Sequence, residues 1–198
     1  MDASGSAPGS DARPGAAGFV RAARAADAAR LASIQVASWR ATIGEMIPEE
    51  VVEALSDDAS VAGFGERWAE AIVSPPTSRH KVLVAYVAGA ISEPAGFASV
   101  GPATDADRWP GTDAELYELH VQPGADDGHA ERLLHSAADT LSEDGFQTVS
   151  TWVLAGDTER VAFLTAAGWA PDGSQMNLDM GVEVPVVRLH TRLSPAPA

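Results

Sequence analysis

The chain has no cysteine in 198 residues. That absence removes disulfides, thiolate metal sites and cysteine nucleophiles together, and it suits a reducing compartment. Basic residues are scarce. Thirteen Lys+Arg stand against 28 Asp+Glu, a formal charge of −15, and Lys81 is the sole lysine. So acidic a surface repels nucleic acid and anionic membranes and draws in cationic or neutral substrates. Long apolar runs are missing as well. The longest, Val82 to Ile91, is far short of a membrane span. The opening "MDASGSAPGSDARPGAAG" has no apolar stretch of the kind a secretory signal needs. Cytoplasmic placement, with no nucleic-acid and no membrane partner, is the expectation. His80, His135 and His190 stand apart without metal-ligand spacing, so no metal is expected.

What is present is the balance of a globular protein, with 45% hydrophobic and 21% charged residues. Residues 1–18 offer almost nothing to bury and read as a disordered leader, and 194–198 read as a flexible tail. One domain is expected over 19–193. "FVRAA" reads as a first strand, and Asp27 as the cap of a helix reaching about Trp39, with Ala28, Leu31, Ile34 and Gln35 at helical spacing. Pro48 can open a second helix, and a third, "VAGFGERWAEAIV", stops at Pro75-Pro76. "HKVLVAYVAG" and "EPAGFASVGPA" read as a hairpin.

"DAELYELHV" is a fourth strand, followed by a helix with Leu133, Leu134, Ala137 and Leu141 on one face and Gly145 at its end. "QTVSTWVL" is a fifth strand, and Asp157 can cap "TERVAFLTAA", which Gly168 terminates. Two strands close the chain, around Gln175 to Met180 and Val184 to Arg192. The strand–helix–strand unit at 114–153 demands a parallel, right-handed crossover, and the hairpins demand antiparallel pairs. The expected fold is therefore α/β (α+β), with a mixed, mostly antiparallel sheet, one parallel strand pair and helices on both faces.

That order of elements, with "ELYELHVQP", "TWVLAGDTERVAFLTAAGW" and "VASWRATIGEMIPEEVVEALS", resembles the GNAT superfamily of N-acetyltransferases over 19–193. The resemblance implies that the fourth and fifth strands splay apart and that acetyl-CoA is the co-substrate. Its pantetheine arm would meet Leu119, His120 and Val121. Its pyrophosphate would meet the turn of Asp127, Gly128, His129, Ala130, Glu131 and Arg132. The free N–H groups of a helix's first turn and the helix dipole both favour an anion there.

The chain departs from the family pattern at several points. In "VQPGADDGHAERLL", Ala125 falls where Gln or Arg is usual, and Asp126 and Asp127 add charge of the anion's own sign. A unit charge about 5 Å from another costs ~1 kcal/mol in water and roughly four times that at an effective dielectric near 20. Either acid can instead cap the helix, and Arg132 and His129 can offset part of the charge. Leu164 stands where the family usually carries a tyrosine that protonates the departing thiolate. Asp157 replaces a common Asn, and Arg160 replaces a small residue.

An acceptor amine must lose a proton before it attacks, so a base is required. Glu115, Glu118 and His120 lie on the fourth strand, and Glu115 matches the family position best. Strict alternation sets Glu115, Tyr117 and Leu119 on one face and Glu118 with His120 on the other. Tyr117 is a candidate substitute acid. Trp39 and Arg40 are candidates for the acceptor pocket, with Trp68 assigned to the core and Trp109 to a loop. The expected function is direct transfer of an acetyl group to a small-molecule or peptide amine in a ternary complex. The alternatives are a GNAT-fold protein without catalysis, acting as an acyl-CoA sensor or interaction module, and an enzyme using another acyl donor. A homodimer stays open.

Overall fold

The computed structural model describes residues 18–44, 46–86, 93–125 and 128–194. Most of the expected leader and tail, residues 87–92 of the expected hairpin, and Asp126 and Asp127 lie outside the described residues. The elements are β1 (Phe19–Ala22), α1 (Ala28–Ile43), α2 (Glu49–Ser56), α3 (Asp58–Val73), β2 (Lys81–Tyr86), β3 (Pro94–Pro102), β4 (Asp113–Val121), α4 (His129–Glu143), β5 (Thr148–Leu154), α5 (Thr158–Ala166), β6 (Ala170–Asp179) and β7 (Glu183–Arg192). The strands form one sheet in the order β1-β2-β3-β4-β5-β7-β6. Every neighbouring pair is antiparallel except β4 and β5. The expected mixed sheet is therefore present, with its parallel pair at the crossover through α4. Among the described residues no helix is long and apolar enough to cross a membrane.

The two faces of the sheet carry separate apolar clusters. Under α4, Leu133, Leu134, Ala137 and Leu141 pack on Ala98, Val100, Ala114, Leu116 and Val149, and Leu164 of α5 joins them. On the opposite face, Leu31 and Ile34 of α1 meet Val84, Tyr86 and Phe97, and Trp68 of α3 packs against that group. A third cluster joins the end of α1 to α2 and β7 through Ile43, Ile47 and Val184. The helices α1 and α4 bury the faces that their apolar spacing marks out.

Three local expectations are corrected. Asp27 does not place its carboxylate on the first turn of α1. It accepts instead from Arg21 at 2.9 and 3.0 Å, from the Tyr86 hydroxyl at 2.8 Å and from the Arg24 N–H at 2.7 Å. A short 3₁₀ turn, Ala25–Asp27, leads into α1, which then runs on to Ile43. Second, α3 begins at Asp58, because Asp57 caps it by accepting from the Ser60 N–H at 2.7 Å. Third, β4 does not alternate throughout. Ser99 pairs with Glu118 and Val100 with Leu116, so Tyr117 is an extra residue in a β-bulge. Leu116 and Leu119, three positions apart, consequently enter the same cluster under α4. Leu119 thus leaves the face it was expected to share with Glu115.

A charged cluster fastens the far end of the sheet. Arg188 of β7, almost fully buried, donates to Asp172 of β6 at 2.7 Å and to Asp105 and Asp107 of the β3–β4 loop at 2.7 Å each. Arg108 adds a second bond to Asp172, and the Trp152 indole N–H reaches Asp105 at 3.0 Å. Hydrogen bonds from Arg188 hold Asp107 down at about 2. Burial pushes Asp172 up, but the Ser174 N–H and Arg188 outweigh it, so this carboxyl also sits below its usual value. Burial likewise opposes Arg21, Arg24 and Tyr86 at Asp27, with a net lowering.

A carboxylate whose folded pKa lies below its unfolded value stabilises the protein above the unfolded value, and loses that contribution as pH falls through the folded one. Urea midpoints should therefore hold steady near neutrality and decline from about pH 4 towards about pH 2, less steeply in Asp172→Asn. At neutral pH, Asp27→Ala strands the half-buried Arg21 and should lower the unfolding free energy by about 3 kcal/mol. A urea-measured loss below about 1 kcal/mol would place the Arg21–Asp27 pair with ordinary surface pairs.

Candidate functional site

The parallel ladder between β4 and β5 is short. It joins Asp113, Ala114 and Glu115 to Thr148, Val149 and Ser150, and stops there. Within it the Ser150 hydroxyl donates to the Ala114 carbonyl at 3.4 Å. Just beyond it the Thr151 hydroxyl bridges the widening gap to the Leu116 carbonyl at 2.8 Å. Further along, the gap opens into a cleft of about 350 Å³. Its walls are Trp39, Thr42 and Ile43 of α1, the stretch 116–120 of β4, the stretch 151–154 of β5, and Asp157, Arg160 and Leu164 of α5. Leu178, Met180 and Val186 close it on the β6–β7 side. A larger groove of about 670 Å³ runs between α4 and α5 over Leu116, Val149 and Trp169. It does not include the Glu118–His120 pair, which lies in the wall of the smaller cleft.

The bulge at Tyr117 turns Glu118 and His120 towards α1. Glu118 Oε2 lies 2.5 Å from His120 Nε2, and His120 Nδ1 lies 3.0 Å from the Ser38 hydroxyl. Gln35 donates to the other Glu118 oxygen at 3.4 Å and accepts from the Trp68 indole N–H at 2.9 Å. The imidazole is buried, 6.2 Å from the Trp39 ring and 5.3 Å from the Phe97 ring. A carboxylate and an imidazole linked in this way can share a proton at the wall of a cleft. Ser38 and Gln35 were not singled out as functional groups from the sequence. Their signal was available: both are polar residues on the otherwise apolar buried stripe of α1.

The other β4 candidates are committed elsewhere. Glu115 is not part of the cleft lining; its carboxylate accepts from the Thr104 N–H at 3.0 Å and the Thr104 hydroxyl at 2.6 Å. Tyr117 donates its hydroxyl to the Pro102 carbonyl at 2.5 Å and stacks on His80. Burial, with the Glu115 charge adding to it, pushes the phenol up to about 12. Leu119 buries its side chain in the core and pairs with Ala98, and Val121 pairs with Gly96 at the strand end.

Gly128 opens α4 with φ at +69°, a conformation that suits a residue without a Cβ. The first helical bond of α4 runs from Arg132 N–H to the Gly128 carbonyl at 3.2 Å. The N–H groups of His129, Ala130 and Glu131 therefore precede the helix's own ladder. His129 is buried, its Nδ1 3.0 Å from the Arg132 guanidinium, while Glu131 is exposed. Asp127, expected at this turn, lies outside the described residues.

On α5, Asp157 caps the helix by accepting from the Arg160 N–H at 2.9 Å. Arg160 sends its guanidinium across the gap to the Leu119 carbonyl at 2.5 Å. Leu164, one turn on, is buried and lines the cleft. Trp39 also lines it, whereas Arg40 is exposed and outside its lining. The helix turns about 100° between them, and of the two only Trp39 lines this cleft. Trp109 is exposed in the β3–β4 loop, and Trp68 packs on the α1 cluster.

No family model matches the chain. The uncharacterized N-acetyltransferase YuaI of Bacillus subtilis is 30% identical over 137 residues, 68% of this chain and 70% of that protein. The PaiA N-acetyltransferase of Thermoplasma acidophilum, solved with coenzyme A, superposes with a TM-score of 0.64 at 17% identity, over 89% of this chain and 99% of that one. The ribosomal-protein-alanine N-acetyltransferase of Brucella melitensis gives 0.65 at 19% identity, over 88% and 99%. YncA of Salmonella typhimurium, solved with its cofactor acetyl-CoA, gives 0.61 at 17% identity, over 92% and 97%. The fold likeness and the YuaI match agree with the parted strand pair: this chain belongs to the GNAT superfamily of N-acetyltransferases.

Proposed function

We propose that the protein transfers the acetyl group of acetyl-CoA to an amine in a ternary complex. The observation that carries this reading is the opening of the β4–β5 pair into a cleft with the coupled Glu118–His120 pair in its wall. Two of the structural relatives bind CoA or acetyl-CoA. The residues here fit the same co-substrate. The β4 edge beyond the β5 ladder, where Arg160 holds the Leu119 carbonyl, suits an amide-bearing arm that adds to the strand. The first-turn N–H groups of His129, Ala130 and Glu131 suit a diphosphate, with Arg132 supplying positive charge.

In this reading Glu118 takes the proton from the acceptor amine, with His120 sharing it and Ser38 and Gln35 holding the pair in place. The role expected of Glu115 passes to Glu118, because Glu115 spends its carboxylate on Thr104. Trp39, with Leu178 and Met180, forms the apolar side of the acceptor pocket. The amine thus meets one acidic pair in a largely apolar setting.

Calorimetry with acetyl-CoA at low salt should show saturable binding, and an amine panel should release free thiol. No binding at millimolar acetyl-CoA would sink the proposal. Glu118→Gln should lower kcat about 10²-fold to 10³-fold while leaving acetyl-CoA binding near its original strength. Glu115→Gln should change kcat less than about threefold, because it removes a loop contact and not the base.

A further inference from the structure

Acyl transfer from a thioester makes two charge demands. The amine nitrogen attacks the carbonyl carbon and gives up a proton, which the Glu118–His120 pair receives. The C–S bond then breaks, and its electron pair goes to sulfur. The thiolate so formed needs a proton or a positive charge beside it. Among the described residues of the cleft, the Glu118–His120 pair is occupied with the amine's proton, and no second ready acid stands in the lining. Leu164 carries no proton to give. The Tyr117 phenol is held by the Pro102 carbonyl and pushed up to about 12, well above the ~8.5 of an ordinary thiol. The hydroxyls of Thr42 and Thr151 are spent on the carbonyls of Ser38 and Leu116.

Arg160 is the remaining group. Its guanidinium has five N–H donors in a fixed fork, and the Leu119 carbonyl takes one of them. The residue lies one turn before Leu164, on the same face of α5, and both line the cleft. Its setting differs from that of the arginines that brace the fold. Arg21 is paired with Asp27, and Arg188 with Asp105, Asp107 and Asp172. Arg160 is held by a neutral carbonyl, and among the described residues no carboxylate is in direct contact with its guanidinium. The charged groups that face it are Asp157 on its own helix and Glu118 on β4, with His120 beside the latter. Burial lowers its pKa from the usual guanidinium value, yet an arginine side chain stays protonated at neutral pH.

We propose that Arg160 is a catalytic residue that receives the departing thiolate, giving N–H donors to the sulfur as the C–S bond breaks. The inference rests on acetyl-CoA as the co-substrate and assigns to this chain a residue for the second half of the reaction. The sulfur leaves as a thiolate bound to the guanidinium and takes its proton from solvent on release. Stabilisation of this kind acts on charge that develops in the transition state and so appears in kcat.

The test is the ionisation of coenzyme A bound to the full-length protein, followed by the ultraviolet absorbance of the thiolate. Wild type should hold the bound thiol about one unit or more below ~8.5. Arg160→Gln should return it to the free value, and Arg160→Lys should recover part of the shift. In turnover, Arg160→Gln should lower kcat about 100-fold with little change in the KM of the acceptor. Equal thiol pKa values in wild type and Arg160→Gln would overturn the proposal. So would tighter acetyl-CoA binding by Arg160→Gln at unchanged kcat, which would make Arg160 only a plug on the Leu119 carbonyl. Desulfo-CoA, which lacks the thiol, separates the two levels. If wild type binds it, the co-substrate reading stands and the thiol titration alone decides the role of Arg160; if wild type does not, both readings fall.

Discussion

The structure turns on a constraint of chain geometry. Two parallel strands joined by a helix must have that helix cross back over one face of the sheet, so α4 begins beside the end of β4 and returns to the start of β5. The twist of the sheet and three paired residues hold the strands together at that start. Past Ser150 nothing in the backbone ladder does, and the Thr151 hydroxyl satisfies a carbonyl that β5 has left behind. The opening and the first turn of α4 thus arise at the same end of the crossover. One topological requirement sets out both the slot and the helix N-terminus beside it.

The second determinant is a single extra residue. Because Tyr117 has no partner on β3, the side-chain order of β4 slips by one, and Glu118 and His120 face α1 while Leu119 enters the core. Without that slip, two polar groups would press into the apolar cluster under α4, where an uncompensated charge is costly. The bulge therefore serves the packing under α4 and sets the polar pair in the cleft wall. It also explains why α1 carries Gln35 and Ser38 on its buried stripe: they are the partners that let a carboxylate and an imidazole lie indoors.

Much of the architecture was legible in the residues. Apolar spacing, helix-ending glycines and proline stops marked the order of elements, and Asp157 could be seen as a cap before its bond to the Arg160 N–H was known. The site was legible only in outline. Alternation is a local rule and carries no mark of a bulge, so Leu119 was set on the face of Glu115, and Glu115 itself was preferred for its match to the family position. Asp27 looked like a cap because an acid before a helix usually is one, whereas its partners, Arg21 and Tyr86, belong to strands on either side of it in sequence. Arg160 was visible as a departure from the family pattern, but its reach to Leu119 depends on the distance between α5 and β4, which no local reading contains.

The Arg188 cluster has a mechanical consequence for the cleft. By tying β7, β6 and the β3–β4 loop together beneath Trp152, it makes that side behave as a fixed jaw. The opposing jaw is built differently, since α2 has no fully buried residue and meets α1 and β7 through a small apolar cluster. Accommodation of guests of different bulk would therefore fall to α2, whose contacts with the end of α1 and with β7 are apolar among the described residues.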